Sequence, residues 1–122
     1  MAETRRRRHR LEISRGDVVI SSSPGDYGKP RPALVVQSDL FNPTHPSIVI
    51  CPITSHLVDA PLFRLPILPS AGNGLKAQSQ IMVDKVTSVR QEHIAKRAGR
   101  ISDAEVAEVD RALTLWLDLG AR

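Results

Sequence analysis

Aromatic side chains are scarce in this chain, with one Trp, one Tyr and two Phe among 122 residues. That excludes an extended stacking platform for single-stranded nucleic acid and leaves hydrogen bonding as the way to read any such ligand. Cysteine is nearly absent. Cys51 alone permits neither an internal disulfide nor a cysteine-based zinc cluster. Within the apolar run 48–53 it reads as a small buried hydrophobe rather than a nucleophile. His45, His56 and His93 show no zinc-like spacing with carboxylates, so no metal or cofactor is expected. Neither a Gly-rich phosphate loop nor a G-x-S-x-G elbow is present. No apolar run approaches the roughly 18 residues that cross a bilayer, and none follows the N-terminal arginines as a signal peptide requires. A cytoplasmic location with no membrane partner is therefore expected.

The net charge of +4 points at first to a polyanionic partner. Its distribution redirects the inference. Residues 1–10 hold five Arg and one Glu, and the rest of the chain holds 12 basic and 12 acidic side chains. Any nucleic-acid site in the folded part must then be a local patch rather than a basic surface. The run Arg5-Arg6-Arg7-Arg8-His9-Arg10 repels itself and lacks apolar periodicity, so residues 1–13 are expected to be a disordered tail and 14–122 one domain. A domain of this size has a single core and gains stability from pairing with a second copy.

What the chain does have is short β-branched runs. Val18-Val19-Ile20, Leu34-Val35-Val36 and Ile48-Val49-Ile50, bounded by Pro, Gly, Ser and Asn, predict strands. Leu62 to Leu68 predicts a fourth, which Pro66 demotes to an edge or bulge. Ala71-Gly72-Asn73-Gly74 predicts a turn, and Gln78 to Val83 with Lys85 to Val89 one or two further strands. Strands at roughly ten-residue spacing describe a small barrel or sandwich. The last segment switches to helical periodicity. Ser102-Asp103-Ala104-Glu105 is a capping box, Val106, Val109, Leu113 and Trp116 repeat along one face, and Gly120 is placed to end the helix. So broad an apolar face must pack on the sheet, on a second subunit, or on both.

Two side chains stand out chemically. Arg31 lies between Pro30 and Pro32 in a turn opened by Pro24-Gly25-Asp26-Tyr27-Gly28, and the prolines restrict its backbone. It reads as a pre-aimed cation, or as a surface arginine paired with Asp26 or Asp39. Thr54 ends an apolar strand and is followed by Ser55 and His56, so it reads as a hydroxyl at a site or as a threonine that suits a strand. A guanidinium and a hydroxyl at two strand ends suit phosphate chemistry without a metal.

The pieces Arg15-Gly16-Asp17-Val18-Val19, Lys29-Pro30-Arg31-Pro32 with Ala33 to Asp39, Cys51-Pro52-Ile53-Thr54-Ser55 and Val83 to Val89 occur in an order that resembles the MazF/PemK toxins. The likeness runs from about Ser14 to Leu119. It implies a mostly β fold, the small SH3-like barrel of the CcdB–PemK group, with a C-terminal α-helix appended. It further implies a homodimer, a cognate acidic antitoxin, and sequence-selective cleavage of single-stranded RNA by attack of the 2′-hydroxyl, with Arg31 and Thr54 as the catalytic pair. Asp26, Tyr27, Lys29, Ser55 and Lys85 are then the candidate substrate contacts. Asp84-Lys85 departs from the acidic-Gln pair of many relatives, which alters the expected base preference rather than the fold. The alternative under the same resemblance is a CcdB-like toxin that poisons DNA gyrase through protein contacts. Those toxins use a tryptophan very near the C-terminus, whereas six residues follow Trp116.

Overall fold

The computed structural model describes residues 11–22 and 28–120. Seven strands run in the order β1 (Asp17–Ser22), β2 (Pro30–Val35), β3 (Ser47–Thr54), β4 (Arg64–Ile67), β5 (Ser79–Met82), β6 (Thr87–Arg90) and β7 (Ile94–Arg100), followed by helix α1 (Asp103–Leu117). Short 3-10 turns, Val83–Lys85 and Gln91–His93, flank β6. The strands pair antiparallel in the spatial order β4-β5-β3-β2-β1-β7, and β6 also pairs with β3. The eight-residue strand β3 serves both partners on one side: its first half pairs with β6 and its last two residues with β5.

Side-chain alternation along these strands builds two apolar clusters. Val18, Leu34 and Cys51 lie opposite one another across β1, β2 and β3, and with Ile53, Ile67, Ile81 and Val83 they form the cluster on which α1 lays Val109 and Ala112. The alternate residues Val19, Ala33, Val35, Ile48 and Ile50 form the second cluster with Val89 and Ile94. Ile13 and Leu11, on the tail side of Ser14, pack there too. Fully burying each such aliphatic side chain contributes about 1.5–3 kcal/mol before chain entropy is counted.

Three local results differ from the sequence reading. Residues 94–100 form β7, which the sequence did not suggest because only Ile94 and Gly99 of IAKRAGR are buried. Its strand geometry comes from pairing with β1, a contact across most of the chain. The fourth strand is shorter than Leu62 to Leu68, although it is an edge strand with Pro66 exposed, as that proline requires. Helix α1 starts at the expected capping box, with Ser102 and Glu105 each satisfying the other's backbone N–H, but ends earlier than Gly120. Asp118 takes the left-handed conformation at φ 57°, and the Leu119 N–H returns to the Thr114 carbonyl at 2.9 Å. That pattern closes the last turn without glycine.

Candidate active site

Arg31 belongs to β2 itself rather than to a turn: it is the cross-strand partner of Ser21 on β1. A residue before proline is driven into extended geometry, which the start of a strand accepts readily. The same prolines open the site. The Val36 N–H donates to the Val49 carbonyl at 3.0 Å, so with a two-residue period the next β2–β3 bonds fall at Leu34/Cys51 and then at Pro32/Ile53. Pro32 has no N–H to give, and the ladder stops at Ala33–Pro52. Continuing that register two residues sets Arg31 opposite Thr54, on strand ends no longer tied together. Ser21, Arg31 and Thr54 thus form one transverse row on the face that carries Val19, Ala33 and Ile50 below it.

Over this row lies a cleft of about 1030 Å³ whose polar lining includes Ser21, Arg31, Thr54, Ser55, His56, Lys76, Lys85 and Thr87. Among the described residues Arg31, Lys76 and Lys85 are its charged side chains, and none of those lining it is acidic. The folded part, balanced in charge overall, concentrates cations here.

Each polar group is held by identifiable neighbours. Thr54 Oγ1 accepts the His56 backbone N–H at 3.0 Å, which occupies a lone pair and leaves the hydroxyl proton to be donated. Lys85 is carried on the 3-10 turn that follows β5. Its neighbour Asp84 is turned away into a two-pronged pair with Arg64, Nε to Oδ1 at 2.7 Å and Nη2 to Oδ2 at 3.1 Å. Hydrogen bonds from Arg64 hold the Asp84 carboxyl below the usual carboxylate range and push the guanidinium further up. Lys76 follows a turn built on buried Asn73, whose Oδ1 accepts the N–H groups of Ser70 and Leu75 and whose Nδ2 donates to the Leu68 carbonyl at 2.8 Å. That turn presses on β7, where a Cβ at Gly74 would collide with the Ala98 carbonyl and one at Gly99 with that of Gly72.

Of the seven residues singled out from sequence, the cleft gathers Arg31, Thr54, Ser55 and Lys85. Lys29 is exposed beside the start of β2 and does not line the cleft. Asp26 and Tyr27 lie outside the described residues. Ser21, Lys76, His56 and Thr87 line the cleft and were not singled out for it. Only Ser21 carried a usable signal, a polar residue at an inward strand position. Cys51 is buried, and desolvation pushes its thiol up to about 12, which keeps it protonated and unreactive. Among the described residues no three His, Cys, Asp or Glu side chains gather as metal ligands, and no helix is long and apolar enough to cross a membrane.

Fold and site together describe a small antiparallel β-domain with an appended helix and a cationic cleft at three strand ends. The family model of the PemK-like, MazF-like toxins of type II toxin–antitoxin systems matches residues 14–117, and the chain belongs to that family. A Mycolicibacterium smegmatis protein named probable endoribonuclease MazF is 40% identical over 108 residues, covering 88% of this chain and 98% of its own length. The fold is also that of the Mycobacterium tuberculosis toxin MazF-mt6, with a TM-score of 0.74 at 19% identity over 86% of this chain and 99% of that one. A mycobacterial endoribonuclease solved in complex with its cognate antitoxin gives 0.74 at 16% identity, over 91% of this chain and 100% of that one.

Proposed function

We propose that this protein is the toxin of a toxin–antitoxin pair and acts as an endoribonuclease on single-stranded RNA without a metal ion. The observation that carries the proposal is the cleft itself: Arg31, Lys76 and Lys85 around the Thr54 hydroxyl, with no carboxylate in the described lining. A phosphodiester backbone is the ligand this charge pattern selects. The 40% identity to a probable endoribonuclease supports the same reading.

In the proposed reaction the ribose 2′-oxygen attacks the adjacent phosphorus. The new 2′-O–P bond forms as the P–O5′ bond breaks; the 2′-hydroxyl proton passes to water, and the departing 5′-oxygen takes a proton from water, leaving a 2′,3′-cyclic phosphate and a 5′-hydroxyl. The guanidinium is too weak an acid to lose its proton at neutral pH and so has no site to accept one, so Arg31 serves as a planar fork on the non-bridging oxygens where charge builds. Thr54 donates its hydroxyl proton to one of those oxygens, while the His56 N–H holds one of its lone pairs and fixes the oxygen in place. Lys76, Lys85 and Ser55 hold the flanking nucleotides, and Asp26, Tyr27 and Lys29 are assigned to the same strand from sequence. The experiment is incubation of a long single-stranded RNA with the protein in chelator. Discrete cuts with 5′-hydroxyl ends are expected, and intact RNA or 5′-phosphate ends contradict the proposal.

The surface supports two protein partners. At the C-terminal end of α1, Leu115, Trp116, Leu117 and Leu119 are 46–61% exposed, while Trp116 keeps one aromatic neighbour, Phe63, at 5.2 Å between ring centroids. An apolar end of this kind supports a homodimer. Trp116→Glu should halve the mass in solution at low micromolar concentration, and an active wild-type monomer contradicts the dimer. A cognate antitoxin with an acidic, flexible segment suits the cationic cleft, as the solved complex of a mycobacterial relative with its antitoxin suggests.

A further inference from the structure

Ser21 is a polar residue where the fold asks for an apolar one. It occupies the inward face of β1 two positions after Val19, is 4% exposed, and lines the floor of the cleft. Its Oγ is one of two buried side-chain polar atoms, with Gln91 Nε2, that have no hydrogen-bond partner among the described residues. Its neighbour Ser22, on the opposite face of β1, donates to the Gly28 carbonyl at 3.3 Å. An unsatisfied buried hydroxyl costs stability, and an alanine would fill the same space without that cost. Such a residue persists at a site where something other than folding selects it.

The side chain directly across from Ser21 is Arg31. Directly opposed residues have Cβ atoms about 5 Å apart, which puts the Ser21 hydroxyl oxygen within reach of a guanidinium N–H once Arg31 lies down over the row. We infer that Ser21 is a positioning residue: when Arg31 closes on a substrate phosphate, the Ser21 oxygen accepts one guanidinium N–H and fixes the plane of the fork between β1 and Thr54. Arg31 has five N–H donors and the phosphate uses two of them, which leaves three for its other partners, Ser21 among them. The inference rests on the nuclease reading above.

Its signature is activity and stability moving in opposite directions. With a long single-stranded RNA in chelator, Ser21→Ala should lower kcat by about 10- to 100-fold while KM changes little, because orientation of the fork matters most where charge builds. The melting temperature of the same variant should stay level or rise. Ser21→Cys, of similar size but a poor acceptor, should behave like Ser21→Ala. In an Arg31→Lys background, Ser21→Ala should add no further loss, since the fork it orients is gone. Wild-type kcat in Ser21→Ala overturns the inference, as does a lower melting temperature that accompanies the loss, or an equal further loss beside Arg31→Lys. A wild-type protein that leaves RNA intact overturns the nuclease reading and this inference together, whereas a wild type that cuts beside an equally fast Ser21→Ala overturns this inference alone.

Discussion

The two ends of strand β1 treat buried polar groups in opposite ways. At its start Asp17, 2% exposed, accepts the Ser14 N–H at 2.8 Å and meets Arg97 Nε at 3.2 Å and Arg100 Nη1 at 3.3 Å. Four residues on and on the same face, Ser21 is equally enclosed and has no partner among the described residues. The first end ties β1 to β7 and is complete as it stands. The second opens on a cleft of about 1030 Å³ lined by cations. The saturated carboxylate lies where this domain holds itself together, and the unsaturated Ser21 hydroxyl lies where the proposed substrate would arrive.

The largest expected effect is at the open end. Arg31→Ala should reduce RNA cleavage by about 100- to 1,000-fold, on the order of 3–4 kcal/mol in the barrier, with the melting temperature unchanged. Thr54→Ala should act in the same direction. A parallel fall in thermal stability would erase the distinction between the two ends. Next is the Arg64–Asp84 pair behind Lys85, whose side chains are 14% and 15% exposed. Asp84→Ala leaves Arg64 largely buried without its partner and should cost about 3 kcal/mol in chemical denaturation. Asp17→Asn, which turns one acceptor of the saturated end into a donor facing guanidinium groups, should cost about 1–3 kcal/mol while cleavage per folded molecule is retained.

Two smaller effects sharpen the comparison. Because the folded-state pKa of Asp84 lies below its ordinary value of 3.8, its contribution to stability is full above that pH and is lost as pH falls through the folded value. Melting temperatures of wild type and Asp84→Ala should therefore differ by a constant amount from pH 7 to about pH 5 and converge below about pH 4. A gap that closes near neutral pH contradicts the assignment. Cys51, its thiol pushed up to about 12 by burial, should resist iodoacetamide in the native protein at pH 8 and react once the chain is unfolded in denaturant.

How much of this was legible in the sequence follows from how local each cause is. The helix start was, because Ser102 and Glu105 cap one turn between themselves. So were β1, β2 and β3, whose β-branched residues sit in both clusters. Strand β7 was not, because its order comes from pairing with β1 some eighty residues earlier. The X-Pro restriction at Arg31 was visible but fits an extended strand as well as a turn, and only the ladder to Ser21 decides between them. Lys76 reaches the cleft through an Asn73-centred turn resting on glycines of two segments, a close approach that no single stretch reveals. The helix end was misplaced because Asp118 tolerates the conformation for which Gly120 was the obvious residue.

The central claim is that the row Ser21–Arg31–Thr54 serves attack by the RNA's own 2′-hydroxyl, and it is tested most directly by the ends of the cut RNA. A single-stranded RNA digested in chelator should carry 5′-hydroxyl and 2′,3′-cyclic phosphate ends, and replacing the 2′-hydroxyl at the cut site with methoxy should abolish cleavage. Products with 5′-phosphate and 3′-hydroxyl ends, or cleavage that survives both the methoxy substitution and Arg31→Ala, would contradict the account.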